Sequence, residues 1–222
     1  MNFNFSEEEE AVKGLAEQIL DESTSFDRLR EIDKDAAGPG FDQNLWSALA
    51  EANLIGLPLS EDHGGQGFSY MALCLLLEQA GRNLAPIPLI ESVVYTALPI
   101  EKFGSDSLKK DLLGKVISGE AILTPAFFEI GDPALSRKAR TQVKVDGEGF
   151  KLSGQKVCVP YAAAATKVLV SASSDAGLGL FLVDPNASGV TLEKQETTAH
   201  ERQFVMTLEG VSVGADDVLA TP

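Results

Sequence analysis

The sequence predicts an α+β multidomain protein, an N-terminal all-α helical bundle domain followed by an antiparallel β-barrel domain. Three observations predict it. Apolar residues recur at helical spacing up to about Ser118, and from Ala121 they alternate with period two, which puts alternate side chains on one face of a strand. The strand-like runs AILTPAFF, VKVDGEGFKLSGQKVCVP, LGLFLVDP, GVTLEK and FVMTLEGVSV follow one another without helices between them, which excludes a parallel sheet built from crossover helices. The segment Met71 to Leu77 is apolar on every side and is expected at the centre of the helical part. The boundary is placed at Gly119, giving residues 1–119 and 120–222 as the two domains.

Taken in order, Ser6 with Glu9 forms a capping box for a helix running to about Glu22, with Val12, Ala16 and Leu20 on its apolar side. Asp27 to Gly40 is charged, ends in Gly-Pro-Gly, and reads as a connection with one short helical turn. Asp42 caps a second helix through Leu45, Trp46 and Leu49, which Asn53 ends in the left-handed conformation. His63-Gly64-Gly65-Gln66-Gly67 reads as a structural turn, because it lacks the Lys-Ser/Thr and the preceding strand of a phosphate loop. Ser69 caps the next helix, which Gly81 ends and in which Glu78 is expected to pair with Arg82. A helix at Ile90 to Ala97 follows two prolines, and Ser107 caps a last one to Ile117. In the β part, Asp146-Gly147 and Ser153-Gly154 read as turns, and Pro160 should stop its strand because it has no amide to donate.

The chain has 18 basic and 33 acidic residues, a formal net charge of −15, which repels phosphate backbones and anionic lipid and argues against nucleic-acid or membrane-surface partners. Cys74 and Cys158 sit in apolar runs and read as buried, reduced thiols of a cytoplasmic protein. The first residues lack the apolar core of a signal peptide. His63, Cys74, Cys158 and His200 have no metal-ligand spacing, no nucleophile elbow is present, and Gly147-Glu148-Gly149 lacks the third glycine of a dinucleotide fingerprint. His200 reads as a surface residue, and Arg137-Lys138-Arg140 as a solvated loop.

The order and spacing of LWSALAEANLIGLPLSEDHGGQGFS, LLLEQAGRNLAPIPL, FGSDSLKKDLLGKVISGE, KLSGQKVCVPYAAAATKVLVSA and GLFLVDPNASGVTLEK resemble the acyl-CoA dehydrogenase family over the whole chain. The resemblance implies a helical domain, a middle β-barrel and a C-terminal helical bundle that this sequence does not contain. It implies FAD as cofactor and an acyl-CoA substrate oxidised at its α and β carbons, with a carboxylate taking the α proton and flavin N5 the β hydride. It further implies an electron-transfer acceptor as partner and a homo- or hetero-oligomeric assembly.

The family's first flavin segment falls on Leu123, Thr124 and Pro125, where proline replaces the family's glutamate. Its later Gly-Ser-Asp falls on Gly131-Asp132. The second segment falls on Cys158, Val159 and Pro160, where the covering aromatic and the hydroxyl near N5 are both replaced. No catalytic carboxylate maps onto this chain, so residues 1–222 alone are expected to be inactive and Pro222 to be a cut in a longer protein. The departures leave three expectations. The chain is the N-terminal and middle portion of an FAD-dependent acyl-CoA dehydrogenase, a diverged non-catalytic subunit of a hetero-oligomeric one, or an acyl-CoA binding module without redox chemistry.

Overall fold

In the computed structural model the structure describes residues 4–131 and 138–222. Asp132 and Arg137, singled out above, lie outside the described residues. The helical part consists of α1 (Glu7–Ser23), α2 (Phe26–Lys34), α3 (Gln43–Glu51), α4 (Tyr70–Arg82), a π-helical segment (Ile90–Ala97) continuing into α5 (Leu98–Phe103), and α6 (Asp106–Ile117).

Caps set most of the boundaries. The Ser6–Glu9 capping box is formed, and Asp42 accepts from the amides of Asn44 and Leu45. Asp42 also holds Arg28 through two hydrogen bonds of 2.7 and 3.1 Å, tying α2 to the start of α3. Gly119, at φ +74, ends the helical part; a Cβ there would lie 3.0 Å from the Ala50 side chain, so the turn needs glycine. The π-helical widening has a covalent cause. Pro99 has no amide to donate and its ring crowds the turn behind it, and the amide of Leu98 reaches the carbonyl of Val93, five residues back.

Four expectations about the helices are corrected. Asp27 to Gly40 is not a mere connection, because Ser25 caps a nine-residue helix there, α2. The last helix is capped by Ser105, two residues earlier than expected. Helix α4 is not buried all round. Tyr70, Met71, Cys74 and Glu78 recur at one helical spacing and form an exposed stripe, while Leu73, Leu75 and Leu76 are buried. Apolar composition hid that stripe. Glu78 does not take Arg82, whose guanidinium reaches Glu17 and Asp21 on α1 at 3.1 and 2.7 Å.

The β part is an eight-stranded sheet. Its strands are β1 (Leu123–Ala126), β2 (Gln142–Asp146), β3 (Gly149–Pro160), β4 (Lys167–Ser174), β5 (Gly177–Val183), β6 (Val190–Gln195), β7 (Gln203–Val213) and β8 (Val218–Ala220). The order is β6-β7-β3-β2-β4-β5-β8, with β1 added to β4. The pairing is mostly antiparallel, but β1 lies parallel to β4 and β2 meets β4 in one parallel pair. The sheet is not closed, so the barrel is an open one. Ser153-Gly154 is not a turn. Strand β3 runs straight through it and bulges, and Gly154 is needed because a Cβ would stand 2.6 Å from the Thr141 backbone.

The alternation in β4 and β5 explains how the two parts join. Leu169 and Leu182 point into the core that holds α3, α4 and α6, whereas Val168, Val170, Phe181 and Val183 point into the core of the sheet itself. Among the described residues no helix is long and apolar enough to cross a membrane.

Candidate functional site

The six residues mapped from the sequence come together. Strand β1 is fixed to the helical part by Ser92, whose hydroxyl donates to the Leu123 carbonyl at 2.9 Å and accepts from the Leu123 amide at 3.1 Å. The Thr124 hydroxyl, fully buried, donates to the Pro160 carbonyl at 2.6 Å, joining β1 to the end of β3. Leu123, Thr124, Pro125, Cys158, Val159 and Pro160 therefore share one region where β1 meets β3. Val159 is buried, while Cys158 is exposed, contrary to the buried thiol read from its apolar run; Cys74 is exposed as well.

A bulge between Lys156 and Val159 shapes this region. Cys158 stands at φ +53 and Tyr161 at φ +51, conformations that cost a non-glycine residue roughly 1–3 kcal/mol and are kept by their surroundings. Those surroundings are visible. The Cys158 amide donates to the Gln195 side chain at 2.8 Å, the Val157 amide to the Phe128 carbonyl at 2.9 Å, and the Tyr161 amide to the Arg202 carbonyl at 2.8 Å.

Beneath the bulge lies a buried ion pair. Lys156 Nζ donates to Glu129 at 2.7 Å and to the Ser171 hydroxyl at 3.0 Å, with the lysine side chain fully buried. Glu129 also accepts from the amides of Arg140 and Thr141 and from the Thr141 hydroxyl. Burial alone would raise the Glu129 pKa, but these donors overcome it and hold the group at about 2. The pair anchors the end of the β1 segment to β3 and β4.

An FAD is the group the resemblance implies here. A flavin edge requires donors that the protein leaves open. The Leu123 amide and carbonyl are both satisfied by Ser92, the Thr124 hydroxyl by Pro160, and the Cys158 amide by Gln195. Pro125 and Pro160 have no amide hydrogen. With the named donors engaged within the chain and two prolines among them, these six residues offer few open donors to a flavin edge.

Sequence reasoning missed Ser92, Glu129, Lys156, Gln195, Glu91 and Tyr161. A charged residue inside an apolar run was the available signal for Glu91, in LIESVV. Its carboxyl is half-buried on the π-helical segment, and burial, with the charge of Glu201 adding, raises its pKa to about 7. The other titratable group facing it is Tyr161, whose phenol is pushed up by burial and by the Glu201 and Glu91 charges. Because the folded pKa lies above the unfolded value of 4.5, the folded state holds this proton more tightly. Stability is therefore lost as pH rises from about 4.5 through about 7. Glu91→Gln should remove that loss. Relative to wild type it should gain about 1–2 kcal/mol at pH 8, allowing for partial exposure, and nothing at pH 4. Urea denaturation at both pH values checks it; an equal effect at both contradicts the assignment.

The comparisons agree with this framework. Residues 6–120 match the family described as acyl-CoA dehydrogenase, N-terminal domain. Acyl-CoA dehydrogenase FadE27 of Mycobacterium tuberculosis is 32% identical over 216 residues, covering 97% of this chain and 56% of its own length. The mitochondrial short-chain specific acyl-CoA dehydrogenase of Bos taurus is 32% identical over 156 residues, covering 67% of this chain and 38% of its own. Among solved structures, a variant of the Tcur3481–Tcur3483 steroid ACAD matches with a TM-score of 0.88 and 38% identity, covering 96% of this chain and 57% of that one. The ChsE4–ChsE5 complex from Mycobacterium tuberculosis matches with a TM-score of 0.90 and 31% identity, covering 99% and 58%.

The helical part packed on a mostly antiparallel open sheet is the arrangement that these acyl-CoA dehydrogenase relatives share. The chain belongs to the acyl-CoA dehydrogenase family. It spans a little over half the length of FadE27 and of the structural relatives named here.

Proposed function

We propose that this chain is the N-terminal and middle portion of a diverged, non-catalytic subunit in a hetero-oligomeric acyl-CoA dehydrogenase. The assembly oxidises the α,β C–C bond of an acyl-CoA thioester to the enoyl-CoA and passes the electrons to an electron-transfer acceptor. In this reading a second, distinct subunit carries the FAD and the carboxylate base. Residues 1–119 and 120–222 are its helical and middle β domains, and Leu123, Thr124, Pro125, Cys158, Val159 and Pro160 are the remnant of a flavin-facing wall. Its setting is the cytoplasm, with no nucleic-acid or membrane partner.

The observation that carries the reading is the internal satisfaction of that wall. The Thr124 hydroxyl is on the Pro160 carbonyl at 2.6 Å, the Cys158 amide is on Gln195 at 2.8 Å, and prolines stand at two further positions. Further support comes from two similar proteins with paired names, Tcur3481–Tcur3483 and the ChsE4–ChsE5 complex. What this chain contributes is scaffold: Ser92 and the Glu129–Lys156 pair hold β1 and β3 in place.

The test is flavin binding by the full-length protein purified without any other subunit. It should be colourless near 450 nm and should not acquire stoichiometric flavin absorbance when incubated with FAD and passed through a desalting column. A yellow protein with about one flavin per chain returns the chain to the FAD-binding class.

A further inference from the structure

A cleft of about 670 Å³ lies between α2, the Leu84–Pro86 turn and the segment joining β6 to β7. That is within the volume range of small-molecule sites, roughly 300–1,000 Å³. One wall is apolar. Phe26, Leu29 and Ile32 recur every three residues along α2 and are joined by Leu84 and Pro86. No residue of α2 is buried; Phe26 is 72% exposed and Leu29 and Ile32 are only half-buried, so this apolar face is left partly open among the described residues. Tyr161 lines the cleft while only 4% exposed, its ring set edge-on against Phe41 at 6.2 Å. Its hydroxyl makes no hydrogen bond among the described residues, yet none of their enclosed side-chain oxygens lacks a partner. The phenol oxygen is therefore not fully enclosed, and it is an unused donor on a residue that lines the cleft.

The charges around the cleft decide what enters. Arg30 is matched by Asp27 at 3.1 Å and Lys194 by Glu196 at 3.4 Å, and the His200 ring lies 3.1 Å from Asp33. The Arg202 guanidinium is held by the carbonyls of Asp35, Ala36 and Gly38. Glu201 lines the cleft and, with Glu91, sets a negative field at Tyr161. An anionic group finds the donors of these cations already engaged and meets the carboxylates of Asp33, Glu196 and Glu201 on the lining.

We propose that this cleft binds an uncharged, mainly apolar small molecule of fused-ring size, its flat face against Phe26, Leu29 and Ile32 and a carbonyl or hydroxyl oxygen accepting from the Tyr161 phenol. The inference does not depend on the dehydrogenase reading, since it uses neither the flavin wall nor acyl-CoA.

The probe is 6-propionyl-2-(dimethylamino)naphthalene, a neutral fused-ring ketone whose emission shifts when it leaves water. Titrated into the full-length protein, it should bind saturably at one site per chain. Tyr161→Phe should weaken binding about fivefold, the scale of one hydrogen bond. Leu29→Glu should weaken it more than tenfold, whereas Phe103→Ser, on an exposed apolar residue outside the cleft, should leave it unchanged. Naphthalene-2-sulfonate, of similar ring size but anionic, should compete at least tenfold less well than neutral 2-acetylnaphthalene. Any one of four results overturns the proposal: no saturable binding, insensitivity to either cleft variant, equal competition by the sulfonate, or loss of the site when other subunits assemble on the protein.

Discussion

Lys156→Met should destabilise the protein by about 3–5 kcal/mol, the cost of leaving a buried charge without its partner. The lysine side chain is fully buried and the glutamate nearly so, at 2% exposure. Methionine fills similar space but leaves Glu129 with only the Arg140 and Thr141 donors. The protein should answer by protonating Glu129, so the deficit should shrink as pH falls toward 4.5. Wild type carries the opposite dependence: the depressed Glu129 pKa supplies stability that is present above 4.5 and fades as pH drops toward about 2. The double variant Lys156→Met, Glu129→Leu should recover most of the loss, because replacing both partners removes the uncompensated charge. Chemical denaturation of the three proteins checks this, and a single variant within about 0.5 kcal/mol of wild type would mean that the pair is not what anchors the bulge.

Leu76→Ala should cost about 2–5 kcal/mol. Leu76 is fully buried in the core shared by the helices and the inner residues of β4 and β5. Truncation leaves a cavity between parts that only partly relax. Met71→Ala, on the exposed stripe of the same helix, should change stability by less than about 1 kcal/mol. The contrast in thermal or urea unfolding separates the two faces; equal effects would restore the helix that is buried on every side.

The regular elements were legible because local chemistry specifies them. Ser6, Asp42 and Ser69 each cap the helix expected of them, and the Asp146-Gly147 turn follows β2 as its sequence demands. Misreadings came where composition was used without period. The apolar content of α4 suggests burial on every side, although positions 70, 71, 74 and 78 trace one outward stripe. The charges of α2 suggest a connection, although Phe26, Leu29 and Ile32 repeat among them. Ser153-Gly154 carries turn chemistry, yet its glycine serves a close approach to Thr141 inside a continuous strand.

The six candidate residues come only from the resemblance, and of them the structure joins Thr124 to Pro160 across the two segments. What those residues do depends on partners distant in sequence. Ser92 is 31 residues from Leu123, and Gln195 is 37 from Cys158. Nothing local marks a serine in a helix as the clamp on a strand. The same holds for Glu129 and Lys156, whose pairing exists only once β1 and β3 are side by side.

The central claim is that this chain's wall is closed to the flavin and that the flavin belongs to another subunit. Flavin stoichiometry in the assembled enzyme tests it most directly. The complex is purified from its natural source, the subunits are quantified by amino-acid analysis, and the released FAD is measured by absorbance. The account predicts one FAD for each pair of unlike subunits, with none retained by this chain when the subunits are separated under native conditions. Two FAD per pair, or flavin remaining with this chain after separation, would contradict it.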